Sequence, residues 1–263
     1  MNAPSSNLSK RLQHQISRLY LVGDSGVESL IVEGGLVRAL VMEVKSPADW
    51  RVLSVVWSGV QTEFEWPAPA ISVSGIDGIQ IWFSFSEPMY GSQAITLLNE
   101  LRRKFLNSVS PLKLRMFPCE EDALNSTYRH AMLVPALQEN SGNWSAFVSQ
   151  DLAAIFADEP WLDLPPNSDQ QADILSKLQS VKPEQLNTAL ALLNADSGFE
   201  RQSRHEELVD AKTSFVDKSS TPSTLTAELA QSPKEFLLWV MNDPKNALKD
   251  RIEAAKALLQ HPD

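Results

Sequence analysis

The chain has 263 residues, 43% of them hydrophobic, with 23 Lys/Arg against 33 Asp/Glu and a net charge of −10. No apolar run approaches the roughly 20 residues that span a bilayer. The polar stretch Met1 to Leu8 lacks the layout of a secretory signal, and a single cysteine, Cys119, allows neither an internal disulfide nor a cysteine-based zinc site, so a reduced, cytoplasmic protein without membrane contact is expected.

The stretch up to about Ser6 reads as disordered. Leu8 to Leu21 comes next, with Leu12, Ile16 and Leu19 at helical spacing. Gly23 to Gly26 breaks it, Val27 to Val32 reads as a short strand, and Gly34-Gly35 as a turn. Leu36 to Val44 (LVRALVMEV) is an apolar run bounded by turn signals, a buried strand. Ser46-Pro47-Ala48-Asp49 then opens an amphipathic helix with Trp50, Leu53, Trp57, Val60 and Phe64 on its apolar side. Pro67 and Pro69 close it. Ala70 to Ser74, a turn over Gly75 to Gly78, and Ile79 to Phe85 form a hairpin. In its second strand Ile79, Ile81, Phe83 and Phe85 share one face. Ser92 begins a further helix, with Ile95, Leu98, Leu101 and Phe105 inside, and Leu112 to Phe117 is a last strand.

This order of strand, helix, strand, strand, helix, strand predicts an α+β domain of the ferredoxin-like or RRM-like βαββαβ kind. Its antiparallel sheet would carry both helices on one face and leave the other open. By alternation Gln80 and Trp82 lie on that open face, the best candidates for ligand contact. Beyond Pro118 the pattern loosens into an irregular α/β extension. Strands are expected at Ala131–Leu137 and Trp144–Val148, a helical turn at Asp151–Phe156, and helices from Asn167 or Ser168 and from Pro183.

Residues 198–230 read as a flexible linker. Residues 231–263 read as a helical hairpin, opened by the capping box Ser232-Pro233-Lys234-Glu235. The expected division is therefore 1–35, 36–197, 198–230 and 231–263.

Charge is unevenly spread: residues 1–118 hold 11 Lys/Arg and 10 Asp/Glu, residues 119–199 hold 3 and 12. Nucleic-acid affinity depends on neutralising phosphates. Any such contact is thus expected in the first part, where Arg102, Arg103 and Lys104 cluster at what is otherwise a solvated helix end. His14, His130, His205 and His261 are too scattered for ligand spacing, and His130 reads as a surface-loop residue.

The run PAPAISVSGIDGIQIWFSFSEPM (Pro67 to Met89) resembles archaeo-eukaryotic primase–polymerases of bacterial mobile elements. In those proteins a Ser-Gly turn precedes a strand bearing a histidine. MFPCEEDAL (Met116 to Leu124), MLVPAL (Met132 to Leu137) and GNWSAFV (Gly142 to Val148) are similar in kind to the segments beyond the palm there. The resemblance implies two metal-binding acids at the end of the first palm strand and a nucleotide-contacting histidine on the third. Those positions fall on Glu43 and Lys45, and on Gln80. Ser74, Gly75 and Trp82, with Arg102, Arg103 and Lys104, would be the nucleotide or nucleic-acid contacts. MNDPKNALKDRIEAAKALL (Met241 to Leu259) resembles a helical segment of phage small terminase subunits and implies self-association or a protein partner through 231–263.

A cation at Lys45 and an amide at Gln80 imply a degenerate site, and hence a nucleic-acid-associated or interaction factor of a plasmid, phage or integrative element. Glu43 would then pair with Lys45 or Arg38. Two alternatives stand beside this one. An active DNA primase or polymerase would use Mg or Mn held by relocated acids such as Glu33, Asp49 or Glu120-Glu121-Asp122. The other is a non-enzymatic oligomeric adaptor.

Overall fold

The computed structural model describes residues 9–23, 29–32, 34–122 and 127–195. The expected linker, the expected C-terminal helical hairpin and Glu33 lie outside these residues. Helix α1, Lys10–Tyr20, is capped by the Ser9 hydroxyl and buries Leu12, Ile16, Leu19 and Tyr20. Strand β1, Ile31–Val32, precedes β2, Leu36–Lys45. Helix α2, Trp50–Glu63, starts three residues later than the proline signal suggests. Its N-cap is Asp49, whose carboxylate accepts from the Arg51 amide. Residues 46–48 stay outside the helix, with the Ser46 amide bonded to the Asp77 carbonyl and the Ala48 amide to the Ala157 carbonyl.

The hairpin is β3, Ala70–Val73, and β4, Gly78–Tyr90. Helix α3, Gly91–Phe105, begins directly after β4, and a 3-10 turn at Pro111–Lys113 leads into β5, Leu114–Phe117. A separate two-stranded ribbon, β6 (Cys119–Asp122) and β7 (Thr127–Arg129), was not foreseen. Strand β8 is Ala146–Val148, and after it come the short helix α4, Gln150–Ala153, a 3-10 turn to Phe156, and α5, Ser168–Ser176. Helix α6 covers 183–195. The expected strand at 131–137 is absent; the segment has an isolated bridge between Leu137 and Trp144, Ala136 bonds Ser145, and Val134 is buried in the second core described below.

The fold is mixed α+β around a curled antiparallel sheet. β2 pairs with β4, β4 with β3, and β3 with β8, while β1 and β5 share the other edge of β2. One face carries Leu40, Met42, Ile79, Ile81, Phe83 and Phe85 against Val56 and Val60 of α2 and Leu97 and Leu101 of α3. The expected open face is covered. Leu12, Ile16, Leu19 and Tyr20 of α1, with Phe147 and Leu175, form a second core over Ala39, Val41 and Trp82. The sheet is therefore sandwiched, and Trp82 is 1% exposed rather than a free platform.

Two polar side chains lock this cover in place. Arg38, at the irregularity between β2 and β4, donates to the carbonyls of Phe85, Leu21 and Arg18. Gln171 of α5 bonds both the amide and the carbonyl of Phe147, occupying the edge of β8 as another strand would. Among the described residues no helix is long and apolar enough to cross a membrane.

Candidate functional site

Alternation sends Ile79, Ile81 and Phe83 to one face of β4 and Gln80 and Trp82 to the other. Strand register then decides what Gln80 meets. Glu43 lies opposite it on β2 and Ser72 opposite it on β3, while Arg115 of β5 lies opposite Glu43. Four strands thus contribute one polar residue each to a single row beneath the second core.

The row is continuously bonded. Ser72 Oγ donates to Gln80 Oε1 at 2.9 Å, and Gln80 Nε2 donates to Glu43 Oε2 at 2.9 Å. Trp82 Nε1 donates to both Ser72 Oγ and Gln80 Oε1, at 2.9 and 3.0 Å. Arg115 Nη1 donates to Glu43 Oε1 at 2.7 Å, and its Nη2 reaches Asp77. Burial pushes the Glu43 carboxyl above its ordinary value, and the Gln80 amide and Arg115 oppose that push. Burial works against the Arg115 charge as well, but Asp77 and Glu43 together hold its pKa above the ordinary arginine value. Gly78 completes the fit, because a Cβ there would stand 2.5 Å from Glu43 Oε1.

The resemblance placed Glu43 and Gln80 at one site, and the structure brings these two together. The expected partners of Glu43 are not the observed ones. Arg38 is engaged with backbone carbonyls, and Lys45 ends β2 opposite Gly78. The guanidinium comes instead from Arg115, which the sequence reading passed over. Its signal was present: the one cation of LRMF, on the strand that this chain order sets beside β2.

The Ser-Gly turn is committed to the fold. Ser74 Oγ accepts from the amides of Ile76, Asp77 and Gly78, and the Gly75 amide donates to the Pro160 carbonyl. Gly75 has φ +77°, and a Cβ there would lie 2.8 Å from the Ser145 amide nitrogen. The backbone amides of both residues are therefore used within the fold, that of Ser74 by the Gly78 carbonyl. The basic cluster is also engaged. Lys104 pairs with Glu63 at 2.8 Å and lies over the rings of Phe64 and Phe105, and Arg103 pairs with Glu100. The Lys104 contacts tie α3 to α2; Arg102 Nε is buried and has no hydrogen-bond partner among the described residues.

His130 is not a free loop residue either. Its Nδ1 accepts from the Ala131 amide and its Nε2 lies 2.9 Å from the Ala39 carbonyl, which fixes the neutral tautomer with the proton on Nε2. Burial lowers its pKa to about 4, and the bond to Ala39 opposes the shift.

A divalent metal does not fit this arrangement. The Glu43 carboxylate already has a cation and an amide donor on its two oxygens, and Lys45 stands where the resemblance implies a second acid. Asp49, a candidate for a relocated site, is bound to Arg51. Among the described residues no three His, Cys, Asp or Glu side chains gather in a way that could hold a metal ion. Compared with known proteins, the chain matches no family model and no curated sequence.

Proposed function

We propose that the chain carries a ferredoxin-like palm of the primase–polymerase type whose metal and nucleotide positions have become a structural polar row. On this reading it acts without nucleotidyl transfer, as a nucleic-acid-associated or protein-interaction factor of a mobile element. Support for the palm comes from the order β5-β2-β4-β3 within the sheet, the arrangement of a split βαβ unit.

The observation that carries the loss of catalysis is the 2.7 Å contact between Arg115 and Glu43. A metal ion would neutralise developing charge and activate a hydroxyl by binding such a carboxylate. Here a fixed guanidinium already neutralises it, in a place 3% exposed on the Glu43 side. The relocated-acid alternative has less support, since Asp49 serves Arg51 and the N-terminus of α2.

Primer extension on primed and unprimed templates with Mg²⁺ or Mn²⁺, beside calorimetric titration with Mn²⁺ and ATP, tests this reading. The expected result is no incorporation and no binding heat. Template-dependent synthesis that disappears in Glu43→Ala would overturn it.

A further inference from the structure

A groove of about 580 Å³ opens between the start of α2, the turn before β5 and the turn after α4. Val44, Trp50, Val52 and Val109 give it apolar walls, and Arg51 and Lys113 supply cations. None of these belongs to the polar row. We propose that this groove is a docking site for a partner protein's amphipathic segment, one with a large apolar anchor and flanking carboxylates.

Charge decides the sign of the partner. In a chain of net charge −10, the groove holds two cations against one acid, Asp49. Lys113 is exposed and has no ion-pair partner among the described residues. Arg51 is paired only with Asp49, and the two side chains are 89% and 44% exposed. So solvated a pair is weak and leaves Arg51 available to another carboxylate.

Surface shape decides the size of the partner. Leu112 and Ile155 are chain neighbours of the lining residues Lys113 and Ala154, and they are 82% and 70% exposed. A small molecule in the groove would leave them in water. A helix or extended segment laid across it would cover them, as helices fill apolar grooves elsewhere. This inference rests on the groove alone: failure to bind a segment leaves the palm reading intact, and nucleotide incorporation leaves the groove intact.

The test uses the full chain and two fluorescein-labelled helical peptides with the same Leu/Trp face, one bearing Glu on its remaining positions and one bearing Lys. Fluorescence anisotropy should show the Glu peptide bound at least about tenfold more tightly than the Lys peptide. Lys113→Glu should abolish that preference, whereas Arg129→Glu, on the ribbon outside the groove, should preserve it. Equal binding of the two peptides, no binding of either, or an unchanged preference in Lys113→Glu would overturn the proposal. So would a concentration-dependent dimer lost in Leu112→Ser, since a second copy would then be the occupant.

Discussion

Replacing Arg115 by Met separates the two halves of the polar row. It removes the 2.7 Å bond to Glu43 and the bond to Asp77, leaving a carboxylate on a side chain only 3% exposed. Stripping one partner from a buried ion pair costs about 3–5 kcal/mol. The Arg115 side chain is 32% exposed, so water reaches the vacated place and the expected loss is about 2–3 kcal/mol. Glu43→Gln keeps an oxygen for the Gln80 amide and leaves Arg115 with Asp77, at a cost of about 1 kcal/mol. The double variant removes charge and counter-charge together and should also cost about 1 kcal/mol, giving a coupling of about 2–3 kcal/mol. Urea denaturation of the four proteins at neutral pH reads these values. The pH dependence has a definite sign. Without the guanidinium, the folded-state pKa of Glu43 rises further above its ordinary 4.5, so the folded chain holds that proton more tightly than the unfolded one. The Arg115→Met deficit is then largest above the raised value and shrinks as pH falls toward 4.5. Single-variant losses that add to within about 0.5 kcal/mol would refute the coupling.

His130 has a folded pKa of about 4 against an ordinary 6.5, so the unfolded chain binds the extra proton between these values. Its contribution is complete above 6.5 and lost as pH falls toward 4; it is worth about 2 kcal/mol once partial exposure of the ring is allowed for. NMR titration of the ring should give the low midpoint, His130→Phe should flatten that part of the stability profile, and a midpoint near 6.5 would contradict the buried neutral tautomer. Gly75→Ala places a side chain at φ +77° and 2.8 Å from a backbone nitrogen, and should cost about 2–3 kcal/mol. Thermal unfolding reads this, and an unchanged midpoint would show that the turn relaxes freely.

Much of the sheet was legible because its signals are local. The alternation of Ile79, Ile81, Phe83 and Phe85 fixed one face of β4, and the spacing of Leu12, Ile16 and Leu19 fixed α1. The cover over Trp82 was not legible from β4 itself. A strand face carrying Gln80, Trp82 and Ser84 has the look of a wetted surface, and only distant segments reveal otherwise. The relevant signal lay in α1 and α5, whose apolar sides need a surface to bury. With α2 and α3 filling one face of the sheet, the other was what remained. Within the site, Glu43 was singled out through the resemblance and Gln80 through alternation as well, whereas Arg115 and Ser72 came together only through strand register. The start of α2 was missed for a related reason. Ser46-Pro47 has the composition of a cap, but the Ser46 and Ala48 amides are taken by Asp77 and Ala157, far along the chain.

Two independent features set Glu43 apart from a carboxylate poised for chemistry, and each would act without the other. The first is electrostatic: Arg115 and Gln80 supply the donors that a buried carboxylate requires, so both of its oxygens are already engaged. The second is steric. Tyr20, Phe147 and Trp82 lie with ring centroids 5.3 to 6.1 Å apart in the cover above this face, and the Trp82 indole bonds into the row itself. A single substitution that removed the guanidinium would leave the cover in place, and one that loosened the cover would leave the charge neutralised. The row and its cover meet at Trp82, whose Nε1 donates to Ser72 and Gln80. On the proposed reading this row is a packing element, and the outer surfaces, not Glu43, are where a partner would be met.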